Sequence, residues 1–184
     1  MNPKVLITRK LIGKARTAGS KAWLGRRPYS RARATVRMRR AQMQGVGELI
    51  DHWKAENLTL VPPAPKAQIL ETFESLGSTA TADVIALYTS LGGMREMDKA
   101  LWRLWPLEEI KAENSELSPH GVLFSDYFIC CWCYRLKANP DGTSSVLEDR
   151  FDGSEPRLVA STLEAFFLSY LADATRLLDG AALD

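Results

Sequence analysis

Acidic side chains are missing from the first 44 residues, which carry thirteen lysines and arginines and no aspartate or glutamate. Like charges at that density repel one another on compaction, and the scattered apolar residues between them cannot build a core. Residues 1–44 therefore read as a basic, disordered arm. No apolar run approaches the roughly 18 residues of a membrane span. The hydrophobic stretch and small-residue cleavage site of a secretory signal are also missing. Histidine is scarce, with only His52 and His120, and cysteine is limited to Cys130, Cys131 and Cys133. Zinc takes four nitrogen or sulfur ligands, and these residues, without a second cysteine pair, give no metal-ligand spacing. Neither a Ser/His/Asp set nor a phosphate-cradling glycine loop occurs. Asp126 and Asp149 are carboxylates that could pair, but nothing in the sequence positions them. The expectation is a protein that is not an enzyme and holds no cofactor and no metal.

What the chain does have is a division of charge. The net charge of +2 averages two unlike parts. Residues 45–184 hold 24 − 13 = 11 basic residues against all 22 acidic ones, a net of −11. Three readings of the arm stand open. It could be held to nucleic acid or a membrane surface through phosphates. It could be an Arg-rich, acid-free transit peptide. It could be a poorly ordered leader outside the natural product, with Met38 or Met43 as the start. The three thiols read as small packing hydrophobes on a strand. Their odd number, without a disulfide framework, fits a reducing, cytoplasmic setting.

Val46, Leu49, Ile50 and Trp53 fall at i, i+3, i+4, i+7 and predict an entry helix. Leu58 to Val61 reads as a short edge strand, and Pro62-Pro63-Ala64-Pro65 as a stiff linker. Residues 45–65 are thus an entry helix with a Pro-rich linker. Ile69, Leu70, Phe73 and Leu76 stripe a second helix that Gly77 stops. Ser78, Thr79 or Thr81 caps a third, striped by Val84, Ile85, Tyr88 and Leu91 and ended by Gly92-Gly93. Neither helix is long enough to stand alone, so a sheet must follow.

Leu101 to Trp105 alternates as a strand, with Leu101, Arg103 and Trp105 on one face. Leu107 to Glu113 is a short helix opened by Pro106. Val122 to Phe124 reads as a strand, Ser125-Asp126 as a tight turn, and Tyr127 to Leu136 as the longest strand. The apolar character of that strand on both faces makes it central. Asn139-Pro140-Asp141-Gly142 is a type I turn leading to a strand over Ser144–Asp149. Arg157 to Ala160 is extended. Ser161-Thr162-Leu163-Glu164 reads as a capping box opening a last helix. Its apolar face holds Leu163, Phe166, Phe167, Tyr170, Ala174, Leu177 and Leu178, and Gly180 ends it.

Several of these features, in this order, amount to a resemblance. They are Leu76-Gly77, Leu87-Tyr88 followed by Gly92-Gly93, Leu104-Trp105-Pro106-Leu107-Glu108-Glu109, Tyr134-Arg135-Leu136, Asp141-Gly142, and Ser161 to Phe167 before Tyr170-Leu171. Over about Lys66 to Leu178 the chain resembles the SUKH superfamily of bacterial toxin-immunity proteins and fungal cell-wall synthesis regulators. It departs from that pattern in lacking a Leu-Pro pair at the second of these helices, where Thr81-Ala82 stands. The resemblance implies an α+β fold over residues 66–180, an antiparallel sheet packed by helices. It also implies a non-catalytic role, binding and neutralising a toxin, often a nuclease. An acidic body suits a basic partner. The candidate partner-binding residues are Asp126, Glu148, Asp149, Asp152 and Glu155. The alternative is a protein associated with nucleic acid or a membrane surface through residues 1–44.

Overall fold

The computed structural model describes residues 45–115 and 118–177. The basic arm, Leu178 and Gly180 lie outside the described residues. The fold is α+β: a five-stranded antiparallel sheet, in sequence order across its width, with helices packed on it. No helix among the described residues is long and apolar enough to cross a membrane.

Helix α1 covers residues 45–55 and uses the expected stripe: Leu49 and Trp53 are fully buried, and Val46 and Ile50 pack beside them. They enter the same core as Ile69, Tyr88 and Phe166, so residues 45–65 share a core with the segment that follows. The expected edge strand at Leu58–Val61 is reduced to one bridge, Leu60 opposite Met94. The proline segment is docked rather than a free spacer. Val61 exchanges backbone bonds with Gly92 and Gly93, and the Ala64 N–H donates to the Tyr88 carbonyl at 2.9 Å. A Cβ at Gly92 would lie 2.1 Å from the Pro62 carbonyl oxygen, which is why glycine stands there.

Helix α2, Lys66–Ser75, ends as expected at Gly77, whose φ is 62°. The Gly77 N–H donates to Glu74 and the Ser78 N–H to Phe73, the two bonds that close a left-handed helix end. Helix α3, Ala82–Ser90, has Thr81 at its cap, but the Thr81 hydroxyl accepts no backbone N–H of the helix. The cap function passes to Asp83, which accepts from the Val84 and Ser144 N–H groups and from the Thr81 hydroxyl. One buried carboxylate so fastens α3 to the sheet.

Strand β1, Trp102–Leu104, pairs with β2, Val122–Tyr127. Between them lies α4, Leu107–Glu113. Strand β3, Trp132–Ala138, pairs with β2 and with β4, Ser144–Asp149; β5, Arg157–Ala160, closes the sheet. The Gly142 N–H donates to the Asn139 carbonyl, making the expected turn between β3 and β4. The strand expected over Tyr127–Leu136 is divided. Ser125 and Asp126 lie inside β2, and the chain turns at residues 128–131. The centrality expected of that stretch holds for β3, the middle strand.

Helix α5, Leu163–Ala172, covers one sheet face, with a 3₁₀ turn, Ala174–Leu177, after it. Its cap is Thr162, one residue later than the capping-box reading, and its hydroxyl accepts from the Ala165 N–H. Phe166 meets the rings of Trp102, Phe124 and Tyr134. Trp53 stacks on Trp102 with centroids 5.7 Å apart and donates its indole N–H to the Tyr170 hydroxyl at 2.7 Å. That hydroxyl donates in turn to buried Asp98, which also accepts from the Trp102 N–H. One polar chain therefore ties α1, α5 and the start of β1 within an aromatic core.

Candidate protein-binding surface

Residues facing each other in adjacent antiparallel strands share a face. Arg103 stands opposite Asp126, Asp126 opposite Cys133, and Cys133 opposite Asp149. These four make one row across the sheet on the face turned away from α5. Each carboxylate in it is committed. Asp126 accepts from the Trp105 indole N–H at 2.6 Å and from Arg103 Nε at 3.1 Å, and Arg103 also reaches Glu109. Asp149 accepts from Arg135 Nε at 2.6 Å and from the Phe151 N–H. Phe151 lies over Arg135, its ring centroid 6.0 Å from the guanidinium carbon.

The five predicted partner-binding residues therefore divide. Asp126, Glu148 and Asp149 are buried, and the sheet turns their charges inward. Glu148 lies on the other face between Arg150 and Arg157, bonded to both. The expectation that these three form an acidic surface is corrected by their arginines. Buried carboxylates are retained where a charged donor replaces water. Asp152 and Glu155 are exposed, in the loop between β4 and β5. Hydrogen bonds from the Ser154 hydroxyl and N–H hold the Asp152 carboxyl below its ordinary range. Glu155 stands 3.3 Å from His120. Each internal ion pair removes one charge of each sign, so the acidic surplus must be carried elsewhere. Exposed Glu48, Asp51, Glu71, Glu74, Glu108 and Glu113 carry part of it on α1, α2 and α4, beside exposed Lys54, Lys66 and Lys111.

The turn between β2 and β3 is the unusual feature of this end of the sheet. Phe128, Ile129 and Cys130 have φ values of 46°, 54° and 59°. Three successive side-chain-bearing residues in the left-handed region cost roughly 1–2 kcal/mol each. A β-branched residue is the least suited of all. The turn is held by the Cys131 N–H, which donates to the Tyr127 carbonyl at 3.1 Å, and by stacking of Tyr127 on Trp132 at 4.5 Å. The Phe128 N–H bonds the carbonyl of Leu101, itself at φ 63°. This strained scaffold holds apolar side chains in solvent: Ile129 is 81% exposed, Phe128 49% and Leu101 40%.

The cysteines do not share a strand. Cys130 and Cys131 are exposed in the turn and Cys133 is buried in β3, so packing describes only the last. Among the described residues, no group of three or more His, Cys, Asp or Glu is placed to hold a metal ion. An apolar groove lies between α1, α3 and α5, lined by Val46, Leu87, Leu163, Phe167 and Leu171. Asp83 is its buried acid, already holding two backbone N–H groups.

No family model matches this chain, and no curated protein matches it. The sequence reading missed Phe128 and Ile129 as surface residues. Nothing in Tyr127-Phe128-Ile129-Cys130-Cys131 carries turn chemistry. The available signal was the length of a ten-residue strand with two apolar faces, which a turn between two shorter strands satisfies better.

Proposed function

We propose that this chain is a non-catalytic protein-binding module of the SUKH kind, an immunity protein that neutralises a basic toxin, such as a nuclease, by direct contact. The left-handed turn carries the reading. Strain of this kind persists where the surroundings enforce it, and it concentrates at functional sites. Here it presents Phe128 and Ile129, an aromatic and an aliphatic side chain of the sort that fills a partner's pocket. The surplus negative charge on α1, α2 and α4 would accelerate encounter with a basic protein, while the apolar turn makes the close contact. A binding role is also favoured over a catalytic one by the commitments of Asp126 and Asp149, each engaged by an arginine.

The test begins with proteins encoded beside this chain. The full chain is titrated with each, and cells producing the neighbouring protein are scored for survival with and without it. Protection is expected, with Phe128→Asp and Ile129→Asp each weakening binding by about tenfold or more. Absence of both binding and protection overturns the proposal. So does a complex that tolerates both substitutions. Salt-sensitive binding of nucleic acid that is lost with residues 1–44 would favour the alternative reading instead.

A further inference from the structure

Cys130 and Cys133 are brought together by the turn that separates Cys130 from β3. Cys133 faces Asp126 across the β2–β3 ladder, and the Cys130 thiol donates to the same carboxylate, with its Sγ 3.6 Å from Oδ2. The two cysteines, three residues apart, thus share Asp126 as a neighbour. Cys131 lies between them in sequence and is exposed. Cys130 and Cys133 therefore both neighbour Asp126 on the face away from α5. Two cysteines beside one carboxylate and three residues apart are placed for thiol–disulfide exchange with each other.

We propose that Cys130 and Cys133 are a redox pair, which closes an intramolecular disulfide when the chain meets a low-molecular-weight disulfide such as oxidised glutathione. The more exposed Cys130 reacts first. Its thiolate attacks one sulfur of oxidised glutathione, the glutathione S–S bond breaks, and one glutathione leaves, taking up a proton. The Cys133 thiol then loses its proton and attacks the Cys130 sulfur. The mixed disulfide breaks and the second glutathione leaves as a thiol. The two cysteines are oxidised by two electrons in all, one glutathione disulfide is reduced to two thiols, and the two cysteine protons end on them.

Burial, and then the charge of Asp126, pushes the Cys130 thiol above its ordinary pKa; burial raises Cys133 as well. Since the thiolate is the attacking species, exchange is slow near neutrality and quickens as pH rises. The bond would pin the end of the turn that presents Phe128 and Ile129. That consequence for docking rests on the proposed function, whereas the disulfide itself does not.

The full chain is incubated with oxidised glutathione, quenched in acid, and its remaining thiols alkylated under denaturing conditions. Peptide mapping then locates the labels. The expected product has lost two hydrogen atoms, carries the alkyl label on Cys131, and has Cys130 joined to Cys133. A Cys131→Ser chain should give the same bond and no label. Cys133→Ser should stop at a glutathione adduct on Cys130. Formation should accelerate from about pH 7 to about pH 9. Persistence of all three thiols, a bond that includes Cys131, or an adduct on Cys131 alone overturns the proposal. Because the readout is the bond itself, it does not depend on whether a toxin is bound.

Discussion

The side-chain amide of Asn114 takes both backbone groups of Leu123. Its Nδ2 donates to the Leu123 carbonyl at 3.0 Å, and the Leu123 N–H donates to its Oδ1 at 2.8 Å. The β2–β3 register shifts between Leu123 and Ser125, and Asn114 supplies a side-chain partner at that irregularity. Asn114→Ala should leave two buried backbone groups unpaired and cost about 2–3 kcal/mol of stability. Urea unfolding reads this directly. A change below about 0.5 kcal/mol would mean that water replaces the amide without loss.

Tyr170→Phe removes one oxygen and two hydrogen bonds. The Trp53 indole loses its acceptor and Asp98 loses a donor, both buried. A loss of about 3 kcal/mol is expected, larger than an isolated hydroxyl deletion gives. Tyr170→Leu should be worse still, since the ring also packs on Trp53 and Trp102. Equal stability of the wild-type and Phe chains, measured by thermal and urea unfolding, would remove the chain of bonds from any role in folding.

Asp98 gives a pH dependence of definite sign. Burial raises its carboxyl above the ordinary value of 3.8, and this outweighs its hydrogen bonds from Tyr170 and Trp102. The folded chain thus binds the proton more tightly than the unfolded one. Its contribution is fully present below about pH 3.8 and is lost as pH rises through the higher folded value. The difference in stability between the wild-type chain and Asp98→Asn should therefore shift against the wild type as pH rises through that window. Parallel stability curves for the two chains from about pH 3 to about pH 7 would count against this assignment.

Ile129→Gly should separate stability from binding. Glycine takes the left-handed conformation without a Cβ clash, and Ile129 is mostly in solvent, so little packing is lost. A gain of about 1 kcal/mol is expected after the extra entropy of an unfolded glycine is counted. Binding to the partner should weaken in the same variant. A destabilised Gly chain would show that the turn is not strained at this residue.

The elements with local punctuation were legible. Pro106 and the acids after it set α4, and Pro156 and Ser161 bracket β5, so both have the expected bounds. The turn at residues 128–131 was not legible, because it contains no residue that favours positive φ. Ser125-Asp126 looked like the turn instead. Asp126 is in fact spent on Trp105 and Arg103, more than twenty residues away, partners that no local spacing reveals. The same holds for Glu148, whose pattern of acids in a loop-rich stretch reads as surface until Arg157 is placed beside it in the neighbouring strand. Sheet pairing, which decides whether a carboxylate faces water or an arginine, is set by register rather than by neighbours in sequence.

The strand order β1-β2-β3-β4-β5 also bears on how the chain folds. From β2 onward each strand can zip onto the one before it over a short connection, which favours rapid assembly of β2 to β5; only β1 waits for the longer segment that holds α4. The contact from Trp53 to Tyr170 spans 117 residues, so it is the entropically dear step that latches α1 after the sheet exists. During synthesis α1 to α3 emerge first and wait with Leu49, Trp53 and Phe73 uncovered. The slow, aggregation-prone interval of this protein should thus belong to its helices, ending when α5 arrives.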